Sequence, residues 1–165
     1  MSYLHEKRVG NMNLNFCWAI DGRLAVSRGP RSRSDLISLR QHGVRALVRL
    51  VEPEESYVTP DEVQEVGLED FNEPVPDVHA PTQTQIDKII DYIDSHIDAG
   101  LPVGVSCNAG IGRSGVILAC YMVHEGLTAT EALEAVRRRR GRGPEVPEQV
   151  AAVETYWLRV NAPEK

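Results

Sequence analysis

A strand signal, a loop rich in glycine and an apolar helix follow one another between residues 101 and 123. The strand signal is Leu101–Val105, the loop reads Cys-Asn-Ala-Gly-Ile-Gly-Arg-Ser over residues 107–114, and the apolar run extends from Val116 to Val123. This order is typical of an α/β protein in which a buried strand feeds a loop and then a helix. It predicts a helix whose amino end lies near Ser114.

The segment 107–114, called the Cys107 loop below, combines a nucleophile with groups that bind an anion. Gly110 and Gly112 lack a Cβ atom and can turn successive backbone N–H groups towards one anion. Arg113 adds a planar guanidinium that matches two phosphoryl oxygens. The amino end of the next helix and Arg113 favour the thiolate form of Cys107. The predicted phosphate-binding residues are Asn108, Ala109, Gly110, Ile111, Gly112 and Arg113.

A free cysteine is more commonly a small buried apolar residue than a nucleophile. The spacing of Cys107 and Arg113 could also arise by chance. The strand before the loop and the helix after it favour the chemical interpretation.

Strand and helix signals alternate in the first half of the chain. Asp21-Gly22 predicts a hairpin turn between two short strands. Ser34–Gln41 is predicted as a helix capped by Ser34, and the strand Val44–Val51 is predicted to lie centrally in the sheet. A polar loop over 52–56 and a short strand near Leu68–Phe71 follow.

Helix signals accumulate in the second half. Capping boxes at Thr82 and Thr128 predict two helix starts, with Gly100 and Gly141 as terminators. Pro147 is placed to begin a last helix. We therefore expect one α/β domain over residues 1–165, with a central mixed or parallel sheet flanked by helices and a flexible segment at residues 1–13.

Composition restricts the classes of partner and compartment. A net charge of −6 does not favour nucleic acid or anionic membranes. The three cysteines show no disulfide framework, and residues 1–8 do not resemble a signal peptide. These features predict a cytoplasmic protein that does not bind membranes.

The Cys107 loop resembles the active-site loop of the protein tyrosine phosphatase superfamily. Further similarity to compact atypical dual-specificity phosphatases, closest to the small VHZ-type enzymes, covers about residues 14–157. It rests on 16–18, 22–25, 43–48 and Pro76-Asp77. The resemblance implies a monomer that hydrolyses phosphotyrosine in proteins or peptides, and phosphoserine or phosphothreonine as further substrates. It implies a phosphocysteine intermediate, no cofactor or metal, and binding of phosphate or sulfate in the active site.

The same resemblance assigns roles outside the nucleophile. Asp77, which precedes Cys107 by 30 positions, is the expected general acid. Local turn chemistry is the alternative reading of Asp77, and Asp70, Glu73 and Asp87 are competing carboxylates. Ser114 is expected to donate a hydrogen bond to the departing thiolate; it could also simply cap the helix, and the two roles are compatible. Gln149 is expected to position water, or to be a solvated residue of the first helical turn.

Two charged tracts can be explained by a structural role as well as by a role in the site. The run Arg137–Arg140 with Arg142 is more typical of the last turn of a helix than of an anion site, although some of these arginines are expected to border the pocket. The acidic run 52–55 is most simply a solvated loop, which the family's topology would bring near the pocket. Cys120 and His124 are spaced as half of a metal site, and no second half is visible, so Cys120 is assigned to the core.

Ser106 departs from the family pattern, which has histidine immediately before the nucleophile. The departure leaves open a phosphate-binding pseudophosphatase. Other enzymes with a Cys-x5-Arg loop also remain as alternatives: a sulfurtransferase, an arsenate reductase, an RNA 5′-triphosphatase or a phosphoinositide phosphatase.

Overall fold

A five-stranded sheet lies at the centre of the computed structural model, which describes residues 14–163. Its strands are β1 (Cys17–Ile20), β2 (Leu24–Arg28), β3 (Ala46–Arg49), β4 (Glu69–Asn72) and β5 (Val103–Cys107), in the order β1-β2-β5-β3-β4. Only the β1–β2 hairpin is antiparallel. The predicted mixed sheet is thus confirmed, with β5 as the middle strand and β3 beside it. The predicted flexible segment, residues 1–13, lies outside the described residues.

Six α-helices surround the sheet within the described part of the chain. They are α1 (Arg33–Gln41), α2 (Pro60–Glu65), α3 (Gln83–Asp98), α4 (Gly112–His124), α5 (Ala129–Arg140) and α6 (Pro147–Val160). Thr82 and Thr128 cap α3 and α5 as predicted, and Pro147 begins α6. The predicted cap of α1 is wrong by two positions: the Ser32 hydroxyl, not that of Ser34, accepts the hydrogen bond from the Asp35 backbone N–H.

Helix α2 was not predicted from the sequence. Thr59 caps it and forms a capping box with Glu62, and Pro60 occupies its first turn. That local signal is present in the sequence, but the helix is too short to show an apolar period. A 3₁₀ turn over Pro53–Glu55 also lies in the segment that was predicted as a loop.

Two apolar clusters hold the layers together. Alternate side chains of the strands contact α1 and α2 on one face of the sheet and α3 to α6 on the other. The cluster against α3 to α6 is the larger of the two and contains nearly all of α4, which is buried from Arg113 to Val123. No helix among residues 14–163 combines the length and apolar character needed to cross a membrane.

The loops that leave β3, β4 and β5 meet at one edge of the sheet, because these strands run parallel. The loop after β3 carries Glu55, the loop after β4 carries Asp77, and β5 itself ends at Cys107. The topology therefore gathers residues that are far apart in sequence around the Cys107 loop.

Candidate active site

The Cys107 loop connects the end of β5 to the start of α4. Cys107 is only 2% exposed, and its Sγ atom accepts a hydrogen bond from the Gly110 backbone N–H at 3.2 Å. Gly110 has φ +76°, and a Cβ atom there would lie 2.4 Å from the Ser27 carbonyl oxygen. The loop therefore requires glycine at position 110, both for its conformation and for its close approach to β2.

Glycine is needed at position 112 because of the space available there, and not for the backbone turn that was predicted. It is the first residue of α4 and does not lie in the positive-φ region. A Cβ atom at Gly112 would lie 2.9 Å from the amide of Gln149. The small residue thus lets α6 approach the Cys107 loop.

Arg113 is buried, and several acceptors hold its guanidinium in place. Nη1 and Nη2 donate to the two carboxylate oxygens of Glu55 at 2.8 and 2.9 Å, and Nη1 also donates to the Val75 carbonyl at 2.8 Å. Burial by itself lowers the pKa of Arg113. Hydrogen bonding to Glu55 and the negative charges of Cys107, Glu55 and Asp77 outweigh burial and raise the pKa above its ordinary value.

Glu55 is a site residue that the sequence did not distinguish from its neighbours. The hydrogen bonds from Arg113 are the main cause of its lowered pKa, against which partial burial acts. Two of the five guanidinium N–H groups of Arg113 remain after Glu55 and Val75 are bound: the one on Nε and the second one on Nη2. This pair forms the fork that can bind two oxygens of one phosphoryl group.

Asp77 lies at the open side of this fork. Its Oδ1 atom is 3.3 Å from Nη2 of Arg113, and its side chain is 66% exposed. Oδ1 also accepts from the Val78 backbone N–H at 2.9 Å, so the turn reading of Asp77 holds as well. Val78 has φ +59°, an uncommon conformation for a β-branched residue that functional loops sometimes retain.

The three competing carboxylates have partners elsewhere. They form the ion pairs Asp70–Arg49, Glu73–Lys88 and Asp87–Arg159. Of the four carboxylates considered from the sequence, only Asp77 forms an ion pair with Arg113 among the described residues.

Ser114 occupies the first turn of α4 and does not cap it. The residue at the N-cap position is Ile111, so the capping alternative is wrong. The Ser114 hydroxyl is fully buried and has no hydrogen-bond partner among residues 14–163. A buried hydroxyl without a partner is costly, which makes this position noteworthy next to a loop built to bind an anion.

Gln149 is buried, so its reading as a solvated residue is wrong. Its exposure is 3%, and its Nε2 atom donates to the His79 carbonyl at 3.1 Å. His79 itself contacts Glu148 through Nδ1 at 3.0 Å, and Glu148 also accepts from the Ala80 backbone N–H. The start of α6 thereby fastens the loop that carries Asp77.

Arg140 supports the Cys107 loop from the end of α5. Its Nε and Nη2 atoms donate to the Gly110 carbonyl at 3.2 and 2.8 Å, and Nη1 donates to the Asn15 carbonyl. Burial lowers the pKa of Arg140, although the charges of Cys17 and Cys107 oppose this. Arg137 and Arg139 instead donate to the carbonyls of Pro144 and Trp18. The arginine run is therefore structural in part, as predicted, and Arg140 borders the site.

A narrow cleft, called the Cys107 cleft below, opens beside the nucleophile. Its volume is about 10 Å³, enough for roughly one water molecule. Buried Arg49 lies along it, held by Asp70 and donating to the Ser56 hydroxyl at 2.9 Å. The residues that line the cleft include Gly29, Pro30, Glu55, Tyr57, Val58, Ser106, Cys107 and Asn108.

The other cysteines lie in the interior. Cys17 and Cys120 are buried and form no disulfide among residues 14–163, and burial raises the pKa of Cys120. Cys120 is thus part of the core, as predicted. His124 contacts Asp94 rather than Cys120.

Known proteins are similar to this chain both in sequence and in fold. The sequence model of a family described as "Polymorphic toxin system, DSP-PTPase phosphatase" matches residues 26–127. The phosphatidylglycerophosphate phosphatase PTPMT2 of Arabidopsis thaliana is 31% identical over 126 residues, which are 75% of this chain and 55% of that protein. The human dual specificity protein phosphatase CDC14C is 27% identical over 94% of this chain and 37% of its own length. The chain thus spans between about a third and just over half of these curated relatives.

Solved structures superimpose over most of the described residues. Tk-PTP in its active form has a TM-score of 0.83 and 32% identity, with 88% of this chain and 97% of that chain covered. PTPMT1 in complex with PI(5)P has a TM-score of 0.81 over 89% of this chain and 97% of its own, and at 20% identity this likeness shows the fold alone. The chain therefore belongs to the protein tyrosine phosphatase superfamily, within the DSP-PTPase phosphatase family of polymorphic toxin systems.

Proposed function

We propose that this protein hydrolyses phosphate monoesters, with phosphotyrosine in peptides or proteins as its main substrate, through a phosphocysteine on Cys107. Phosphoserine and phosphothreonine are secondary substrates. One observation carries the proposal: the carboxyl group of Asp77 lies 3.3 Å from the arginine that closes a loop around a buried cysteine. A site for binding alone does not require an acid at that point.

In the first step, the Cys107 thiolate attacks phosphorus. The S–P bond forms while the bond from phosphorus to the leaving oxygen breaks, and Asp77 donates its proton to that oxygen. The backbone N–H groups of residues 108–113 and the Nε and Nη2 N–H groups of Arg113 bind the phosphoryl oxygens. Glu55 holds the guanidinium in place, so little reorganisation accompanies the reaction.

In the second step, water attacks phosphorus and the S–P bond breaks. The Asp77 carboxylate accepts a proton from that water, which restores the acid and releases inorganic phosphate. The buried hydroxyl of Ser114, which has no partner in the described part of the chain, donates a hydrogen bond to the departing thiolate. Gln149, buried against Gly112, positions the water.

Hydrolysis of an aryl phosphate in the presence of EDTA tests this proposal. The wild-type protein should turn over, and Cys107→Ser should abolish turnover while retaining binding of a phosphotyrosine peptide, which shows that the loop is still folded. Turnover that survives Cys107→Ser would overturn the mechanism.

The acid is tested with a series of substrates that differ only in the pKa of the leaving group. Asp77→Asn should slow hydrolysis most for poor leaving groups, because these depend on protonation. An equal loss across the series would contradict the assignment of Asp77.

Two other functions give different results in the same assays. A phosphate-binding pseudophosphatase, the alternative raised by Ser106, would bind the peptide without turnover. A lipid phosphatase, favoured by the similarity to PTPMT2, would hydrolyse phosphatidylglycerophosphate much faster than a phosphotyrosine peptide.

The proposed cellular compartment follows from the chemistry of the cysteine nucleophile. A thiolate survives best in a reducing compartment, and Cys17, Cys107 and Cys120 are all free thiols. We therefore propose a cytoplasmic enzyme that acts as a monomer, which cell fractionation and sedimentation would check.

A further inference from the structure

The Cys107 cleft is too narrow to hold more than a small part of a substrate. Its volume of about 10 Å³ compares with several hundred for typical ligand pockets. The residues that flank a phosphorylated side chain must therefore lie on the rim of the cleft. What the rim presents determines which flanking residues are favoured.

One wall of this rim is an exposed aromatic ring. Tyr57 is 66% exposed and yet lines the cleft together with Pro30 and Val58. Hydrogen bonds hold the backbone on both sides of Tyr57: the Ser56 hydroxyl donates to the Val58 carbonyl at 2.6 Å and accepts from Arg49. Val58 itself is buried. An exposed aromatic ring whose neighbouring residues are held by hydrogen bonds and burial is a common element of binding surfaces.

A guanidinium lies over this ring. The Cζ atom of Arg31 is 5.8 Å from the centroid of Tyr57, within the range of a cation–π contact. The backbone N–H of Arg31 donates to the Asp35 carboxylate at 2.9 Å, which fixes the chain at the start of α1. Arg31 therefore stands at the rim, directly after the cleft residue Pro30.

The Arg31 side chain has no carboxylate partner among residues 14–163. Its neighbours Arg28 and Arg33 form ion pairs with Asp35 and Glu65, at 3.1 and 3.2 Å. In a chain with a net charge of −6, a cation next to the cleft without such a partner provides a local site for an anion.

We propose that Arg31 and Tyr57 form an accessory subsite that binds an acidic side chain next to the phosphorylated residue of a peptide substrate. The guanidinium binds the carboxylate, and the Tyr57 ring packs against the apolar part of the peptide. This inference rests on the proposed function and adds a modest preference for acidic phosphopeptides among its substrates. Since the ion pair lies at an exposed rim, we expect a preference of about threefold to fivefold rather than a large one.

A pair of peptides tests the subsite. Both contain one phosphotyrosine, and they differ only in carrying either glutamate or glutamine at the flanking positions. The measured quantity is the ratio of kcat/KM for the two peptides, which cancels any general change in activity. The wild-type ratio should favour glutamate by about threefold to fivefold and approach one in 1 M salt.

The variants separate the local charge from the total charge. Arg31→Ala should bring the ratio to about one, Tyr57→Ala should reduce it, and Tyr57→Phe, which keeps the ring, should preserve it. Arg138→Ala is the matched control, because Arg138 is an exposed arginine of α5 that forms no ion pair among the described residues. It should leave the ratio at the wild-type value.

Failure of this inference is distinct from failure of the proposed function. Wild-type protein that hydrolyses a small aryl phosphate but has a peptide ratio of one would overturn the subsite alone. A ratio lowered equally by Arg31→Ala and Arg138→Ala would also overturn it, since the effect would then be one of net charge. Absence of all turnover would instead overturn the proposed function.

Discussion

The bidentate contact between Glu55 and Arg113 gives the sharpest test of how the site is built. Glu55→Gln removes the charge but keeps the size of the side chain. A glutamine can accept only one of the two hydrogen bonds at 2.8 and 2.9 Å, and its NH₂ group faces the other guanidinium nitrogen. Arg113 would therefore lose its fixed orientation.

The magnitude follows from the kind of bond that is lost. Two hydrogen bonds between ionised groups, of about 1.5–3 kcal/mol each, are replaced by one bond of about 1 kcal/mol from the guanidinium to a neutral amide oxygen. Because Glu55 is 23% exposed, we take the lower end and expect a loss of about 2 kcal/mol. If that loss falls on transition-state binding, kcat/KM decreases about 30-fold.

The assay is steady-state hydrolysis of an aryl phosphate, with inhibition by inorganic phosphate as a second measure of the Arg113 fork. Glu54→Gln is the matched control, since Glu54 lies in the same 3₁₀ turn and has no ion pair among residues 14–163. Unchanged kcat/KM in Glu55→Gln, or an equal loss in Glu54→Gln, would refute the positioning role.

The pH dependence of stability gives an independent check of the same contact. The pKa of Glu55 is lowered from 4.5 in the folded state, mainly by the hydrogen bonds from Arg113. The ionised carboxylate therefore contributes stability that is fully present well above pH 4.5 and is lost as the pH falls through the folded-state pKa. The difference in unfolding free energy between wild type and Glu55→Gln should be constant near neutral pH and shrink in acid.

Two further substitutions test the support of the Cys107 loop. Arg140→Met removes the donors to the Gly110 and Asn15 carbonyls, so denaturant unfolding should show a loss of about 2 kcal/mol. Its kcat/KM should fall at least about tenfold, whereas Arg138→Met should resemble wild type in both. Gly110→Ala should abolish turnover and destabilise more than Gly100→Ala, because both have positive φ but only the Cβ at 110 meets a neighbour, at 2.4 Å. Equal destabilisation by the two alanines would contradict the close approach to β2.

Much of the fold could be predicted because its signals are local. The hairpin at Asp21-Gly22, the caps at Thr82 and Thr128 and the Cys107 loop each depend on contacts within a few residues. The errors are also local: Ser32 rather than Ser34 caps α1, and α2 is too short for its periodicity to be visible. The role of Asp77 as general acid is implied by family resemblance and stays a prediction; the structure shows only that its carboxylate lies beside Arg113.

The sequence by itself determined the chemistry that is available: a cysteine, an arginine and glycines in one loop between a buried strand and an apolar helix. Tertiary structure decided which distant groups serve that loop. Glu55 lies 58 positions from Arg113 and Arg140 lies 30 positions from Gly110, and nothing in their own segments separates them from adjacent glutamates and arginines. The strand order brings the loop after β3 to the Cys107 loop and so selects Glu55, whereas the packing of α5 against α4 selects Arg140. The physical reason is that a side chain's partner across the fold depends on packing, whereas a cap or a turn depends on the few residues around it.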